Sequence, residues 1–320
     1  MLRHALIAFS ALLAAAPAAQ AQKYPERPVR LVVPFAPGGG TDIIGRIVGQ
    51  GLAEVLGQPV IIDNRGGAGS TLGTEIVARA PNDGYTLLFG NISLAFNATL
   101  YTKLRYDTLR DLAPISLSAV QPNILVIHPG LPAKNLREFI ELARANPGKY
   151  NYASAGTGSG THLAAELLKL QTKINIVHVP YKGTGPALTD LLGGQISMMV
   201  STFASALPHV RSGRMRALGV TTTKRSPATP DVPTLIEGGV AGYDYSTWYG
   251  LLAPANTARR LIDELNAANR KGLSREDIRQ KLESQGVDPS LNTPAEFAAY
   301  LKSEIEKWGK VVKATGAKAE

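Results

Sequence analysis

The sequence predicts an α/β protein of two domains, each a mainly parallel sheet flanked by helices. Short β-rich apolar runs alternate with runs of helical period through most of the chain, the pattern of parallel strands joined by crossover helices. The order strand, glycine loop, helix, strand, glycine loop, helix occurs once in each half, without residue-by-residue identity. A length of 320 residues, with a leader of 21, suits two domains or one large one.

Residues 29–35 (VRLVVPF) make the first predicted strand. The loop APGGGTD follows. Then Ile43, Ile44, Ile47, Val48, Leu52, Val55 and Leu56 recur at helical spacing until Gly57 stops the helix. Residues 59–63 (PVIID) predict a second strand, 64–70 (NRGGAGS) a loop, 71–80 a helix and 85–89 (YTLLF) a third strand. The series restarts with a strand at 123–128 (NILVIH). A helix at 135–146 is closed by Pro147 and Gly148, a strand follows at 150–154 (YNYAS), and GTGSGTH leads into a helix at 163–170. Residues 174–180 (INIVHVP) predict a strand, YKGTGP a loop, 187–192 a helix, and 196–200 and 215–221 two more strands. The segment 227–233 (PATPDVP) is turn-rich and 248–253 (WYGLLA) is a strand. Helices at 258–269, 274–284 and 294–312 complete the chain. In the last, Phe297, Leu301, Ile305, Trp308 and Val312 form one apolar stripe that should dock onto a domain. No low-complexity linker separates the halves. Crossings near 119–121 and 245–248 give one domain from 22–119 plus 246–320 and another from 120–245, after a leader at 1–21.

That leader reads as a cleavable secretory signal. A short basic start precedes the apolar run 5–16, and Ala19-Gln20-Ala21 is a small-residue cleavage site, cut before Gln22. The apolar run is too short for a stable anchor, and no other run reaches the ~18 residues of a transmembrane helix. Cysteine is absent, which excludes a thiol nucleophile, cysteine-ligated zinc, iron–sulfur clusters and lipid attachment through cysteine. An exported chain without disulfides relies on its core alone. The net charge of +9, or +8 without Arg3, is scattered with no basic run, which argues against a nucleic-acid partner.

The two glycine elbows, APGGGTD (36–42) and GTGSGTH (156–162), are the candidate site. Each lies beyond the carboxyl end of a predicted strand, where open α/β sheets bind ligands. Glycine lets the backbone approach a ligand closely, and the helix that follows offers unpaired N–H groups and a dipole of roughly +0.5 charge. An anion fits such a place without arginine or lysine. The first elbow lacks the Lys-Ser/Thr of a P-loop. The second lacks the third glycine of a dinucleotide fingerprint, and no acidic residue ends the next strand. Ser159 does not sit in a nucleophile elbow. His162 and Glu166 share a helix face, yet no third metal ligand is apparent, so His162 reads as structural. Either loop alone could be a tight turn; two in corresponding positions favour a cleft that grips both ends of a ligand with two acidic groups. Thr41, Ser159 and Thr161 could add hydroxyl donors. Asp42 either stabilises its helix N-terminus or meets a ligand amine, hydroxyl or bridging water.

Over nearly its whole length the chain resembles the periplasmic solute receptors of tripartite tricarboxylate transporters, known as Bug receptors. The resemblance rests on YPERPVRLVVPFAPGGGTD, VIIDNRGGAGSTLGTEIVARAPNDGYTLL, YNYASAGTGSGTHLAAELL, VHVPYKGTGPALTDLLGGQI, GRMRALGVTTTKRSPATPDVPTLIEGG and WYGLLAPANT, in that order and spacing. Two departures are Gly66, where the family usually has proline, and the neighbourhood of Ser201. The resemblance implies a two-lobed Venus-flytrap fold, periplasmic and type II-like, and a carboxylate held largely by main-chain groups. By position it implies Ala36, Gly39, Gly40, Thr41 and Asp42 on one side, and Thr157, Gly158, Ser159, Gly160, Thr161 and His162 on the other. Ser70, Thr71, Tyr181 and Lys182 follow from the companion loops. The implied ligands are di- and tricarboxylates, acidic amino acids and aromatic acids. The implied partners are a large and a small integral membrane subunit, with a sensor kinase domain as the alternative. A monomer without metal or cofactor is expected. An enzyme is disfavoured because no nucleophile–base pair, metal cluster or cofactor lysine stands out in the sequence.

Overall fold

The computed structural model describes residues 24–316 and 319. The expected leader lies outside the described residues. β1 (Val29–Val33) leads through the first elbow into α1 (Gly40–Leu56). Ile44, Val48 and Leu52 repeat every four residues and bury one stripe against Val29, Leu31 and Val33. Gly57 ends α1 with φ 69°, a conformation that favours glycine. β2 (Val60–Asn64), a short turn, α2 (Thr71–Ala78), β3 (Thr86–Asn91), α3 (Ser93–Leu100) and β4 (Leu112–Ile127) follow. The second lobe contains α4 (Leu136–Ala145), β5 (Asn151–Ser154), α5 (Gly160–Thr172), β6 (Val177–Pro180) and α6 (Thr184–Leu192). It closes with β7 (Met198–Thr202), α7 (Phe203–Arg211) and β8 (Arg216–Val220). β9 (Ser246–Pro254) returns to the first lobe, and α8 (Arg259–Leu273), α9 (Glu276–Ser284), β10 (Asp288–Pro289) and α10 (Pro294–Thr315) finish the fold.

The strands follow one path, β2-β1-β3-β9-β4-β7-β5-β6, with β8 and β10 also paired to β4. β1, β2 and β3 are parallel, as are β5, β6 and β7. Between these units, β4 and β9 run antiparallel. β4 pairs with β9 as far as Pro122, and with β7 and β8 from Asn123 or Ile124 onward. A single strand thus serves both lobes, and pairing changes hands without a loop. The sequence pattern predicts only the end of this strand. Its first part carries Pro114 and Pro122, and the ladder shifts register just after Pro114 and again between Leu117 and Ala119. Helices α3 and α7 are also absent from the sequence prediction. α3 is buried on most sides and so lacks a one-sided apolar period, while α7 is short and carries Pro208 in its interior.

The predicted stripe on α10 faces inward. Trp308 meets Phe96 edge to face at 5.1 Å and Tyr245 at 5.5 Å, while Phe297 packs on Trp248. The same core cluster takes in Leu88 of the first lobe and Leu125, Phe139, Tyr152 and Leu163 of the second. Glu304 lies buried within it. Its Oε2 accepts the indole N–H of Trp248 at 3.0 Å and of Trp308 at 2.9 Å. Replacing Glu304 with alanine leaves two buried donors unpaired and should cost about 3 kcal/mol of stability. Urea unfolding of Glu304→Ala against wild type measures this, and Glu304→Gln, which keeps an acceptor, should lose less.

Candidate functional site

The two elbows form as β-strand ends that turn into helices. In the first, Gly38 adopts φ 80° and Gly40, Thr41 and Asp42 begin α1. Asp42 turns back onto its own loop. It accepts from Gly38 N at 3.0 Å and Asn64 Nδ2 at 3.0 Å, and pairs with Arg46 at 2.9 Å. These bonds hold the loop closed. In the second elbow, Gly156 and Gly158 have φ 122° and 81°. Ser159 caps α5 by accepting from His162 N, and Thr161 Oγ1 accepts from Ala155 N at 2.8 Å. Gly158 N–H donates to His162 Nδ1 at 3.3 Å, so the imidazole props the loop from beneath.

The elbows meet across a small cavity of about 20 Å³. Gly39, Gly40, Thr41, Ser159, Gly160 and Thr161 line it, six of the residues singled out by sequence. Phe35, Asn91, Ala155, Thr184, Thr202 and Thr247 complete the wall. The remaining expected residues lie around this cavity rather than in its wall. Ala36 N–H donates across the cleft to Lys182 O at 3.2 Å. Thr157 O accepts from Tyr101 Oη at 3.1 Å. Ser70 Oγ accepts from Asn97 Nδ2, and Thr71 faces an outer groove with Leu72 and Tyr101. Tyr181 Oη donates to Asp190 at 2.6 Å, and Tyr181 and Lys182 border a second groove of about 510 Å³ with Thr157. Gly158 sits against Asn97.

The wall contains no lysine, arginine, aspartate or glutamate. Its polarity comes from helix ends. Gly40 and Thr41 start α1, Gly160 and Thr161 start α5, Thr184 starts α6, and Thr202 precedes α7. Three of these helices, α1, α6 and α7, carry no side-chain cap. Four N-termini at roughly +0.5 each place about two positive charges around one point. The sequence reading takes YKGTGP as loop and begins the helix at 187, whereas α6 starts at Thr184; Thr202 is hidden with α7, and Asn91 and Thr247 are brought in by sheet pairing. The connecting strands β4 and β9 supply the floor: Thr247 Oγ1 donates to Asn123 Oδ1 at 2.7 Å, and Gln121 Nε2 donates to Tyr249 Oη. Asn91 Nδ2 donates to Thr41 Oγ1 at 2.9 Å, which leaves the threonine proton free to donate.

Below the second elbow, His162 stacks on His178 at 4.2 Å and His178 on Tyr152 at 4.8 Å. His178 Nε2 meets Ser154 Oγ at 2.6 Å, and Glu166 binds Tyr152 Oη and Lys169. Burial pushes His162 down to about 4 and, with the neighbouring His162, pushes His178 down to about 3. Both are neutral at pH 7, which keeps His162 Nδ1 an acceptor for Gly158. Among the described residues no group of three His, Asp or Glu could hold a metal, and no helix is long and apolar enough to cross a membrane.

The family described as the tripartite tricarboxylate transporter family receptor matches residues 44–317. Protein BugT of Bordetella pertussis is 38% identical over 300 residues, covering 93% of this chain and 92% of that one. The structure of the periplasmic binding protein BugD superposes with TM-score 0.90 at 34% identity, covering 93% of this chain and 100% of the other. MatC from Rhodopseudomonas palustris with bound malate superposes with TM-score 0.87 at 36% identity, over 90% of this chain and 100% of the other.

The buried histidines make stability depend on pH. In the unfolded chain each takes a proton near 6.5, but in the fold only near 4 or 3. Stability is therefore full above about pH 7 and falls as pH drops from about 6.5 toward 4. Melting temperature followed from about pH 7.5 to 4.5 should decline, and His162→Gln should flatten the slope. A level wild-type curve over that window contradicts a buried neutral pair.

Proposed function

This chain belongs to the receptor family of tripartite tricarboxylate transporters, and we propose that it captures a small dicarboxylate between its lobes for delivery to the large and small membrane subunits of such a transporter. Its family is one of periplasmic solute-binding receptors. The observation that carries the ligand class is the wall of four helix N-termini without a charged side chain. About two positive charges from backbone dipoles match two carboxylates, and the one acidic group beside these helix starts, Asp42, is paired with Arg46. Malate in MatC is a ligand of this chemistry.

Capture requires motion. A space of about 20 Å³ holds a water and not a dicarboxylate, so the ligand enters when the lobes part. The bodies that move divide near 119–120 and 245–246, turning on β4 and β9. Closure is fastened by one main-chain bond, Ala36 N to Lys182 O, and by the Tyr101 hydroxyl, which donates to Thr157 O. A ligand that touches both elbows binds the closed state better and so shifts the population toward it. The receptor is exported with its leader cut before Gln22, acts as a monomer and releases its acid unchanged.

Thermal denaturation and calorimetric titration with succinate, malate and neutral sugars test the ligand class. A dicarboxylate at one hundred times its Kd should add about 2.7 kcal/mol of stability; a larger effect from sugars would overturn the anion reading. Gly185→Ala tests closure. Gly185 has ordinary helical φ, yet a Cβ there would lie 2.5 Å from Pro37 O across the cleft. The variant should unfold cooperatively like wild type and bind dicarboxylate about tenfold more weakly. Undiminished affinity would remove closure from the mechanism.

A further inference from the structure

Two surface hollows run together beside the cleft, and neither shares a residue with the cavity between the elbows. One, of about 510 Å³, lies between the lobes: Ala68 and Gly69 of the first lobe face Gly156, Thr157, Tyr181 and Pro186 of the second. The other, of about 560 Å³, belongs to the first lobe alone and is walled by Leu72, Tyr101 and Leu104. Ala68 lines both, so they form one continuous groove. Its surface is mostly apolar, and Leu72 stands 50% exposed within it. Cations border it. Lys103 and Arg105 edge the first-lobe hollow and Lys182 edges the interlobe one, all three exposed. Among the described residues no carboxylate pairs with Lys103 or Lys182. The one acid in the lining, Glu75, is held by Arg79 at 2.8 Å, with Arg105 4.0 Å away.

An apolar groove open to solvent and edged by unpaired cations has the make-up of an interaction surface. We propose that the transporter's membrane subunits dock here, through a loop that carries an apolar side chain set between carboxylates. This rests on the receptor reading above. The apolar side chain enters beside Leu72, and the carboxylates meet Lys103, Arg105 and Lys182. A lipid surface would satisfy the cations but is too flat to fill a groove. The two hollows serve the partner differently. The Leu72 hollow is built within one lobe, so it is present whether the lobes are closed or parted. The interlobe hollow takes one wall from each lobe, joined where Tyr101 Oη donates to Thr157 O, and parting the lobes takes it apart. A loop that fills both hollows binds the closed, loaded receptor more tightly than the open one, and that difference in affinity tells the transporter which receptor carries solute.

Docking of the mature receptor to the large and small membrane subunits, held in nanodiscs, tests this with and without malate. Wild type should dock at least about fivefold more tightly with malate than without. Leu72→Ser, and Lys103→Glu combined with Arg105→Gln, should each weaken docking at least about fivefold. Neither change touches the cavity, so both variants should keep the wild-type melting temperature and the wild-type calorimetric affinity for malate. Both variants docking as tightly as wild type, or docking indifferent to malate although malate binds, overturns the proposal. So does wild-type binding to phosphatidylglycerol vesicles, without the subunits, that both variants lose. A wild type that binds dicarboxylate and does not dock overturns delivery and surface together. If no dicarboxylate binds and the variants still dock poorly, the ligand class falls and the surface stands.

Discussion

A helix begins with N–H groups that its own backbone cannot satisfy, and this fold directs four such beginnings at one small space. Parallel strands make that possible. In each lobe, strands that run the same way release their chains at the same edge, so the helices that follow all start there. Turning the two lobes edge to edge brings the starts of α1, α5, α6 and α7 together. The glycines, the threonines and the lack of charged side chains in the wall all follow from this arrangement. Charge supplied by backbone needs no side chain, and a backbone can approach only where no Cβ intervenes.

That second requirement explains the glycines across the cleft. A Cβ on Gly69 would lie 2.1 Å from Thr157 O, and one on Gly40 would lie 2.6 Å from Thr202 Oγ1. Gly66 belongs to the same set. A Cβ there would stand 2.8 Å from both Ala36 N and Lys182 O, the pair whose hydrogen bond joins the lobes. Glycine at 66 leaves that bond uncrowded.

Local pattern reached most of the parallel units. The four-residue repeat of Ile44, Val48 and Leu52 and the stripe on α10 each have one buried face, which a linear sequence displays directly. It reached the elbows too, since their glycines mark sharp strand-to-helix turns. It did not reach the first part of β4, where Pro114 stands at the first of two register shifts in a long antiparallel ladder. Nor did it find α3, buried on most sides, the short proline-bearing α7, or the cavity residues Asn91, Thr202 and Thr247, which only the pairing of distant strands assembles. For Asp42 the residue type allowed two roles. Its contacts with Gly38, Asn64 and Arg46 are those of a loop support.

The sequence contains two tryptophans, Trp248 and Trp308, and both donate to the same carboxylate oxygen of Glu304 beside β4 and β9. The chain's indole emission therefore arises from one locus, shielded from solvent and in edge contact with Tyr245 through Trp308. A chromophore pair so placed is blind to most of the molecular surface and responds to changes where β4 and β9 join the lobes. The protein carries an optical gauge of that junction, with no label added.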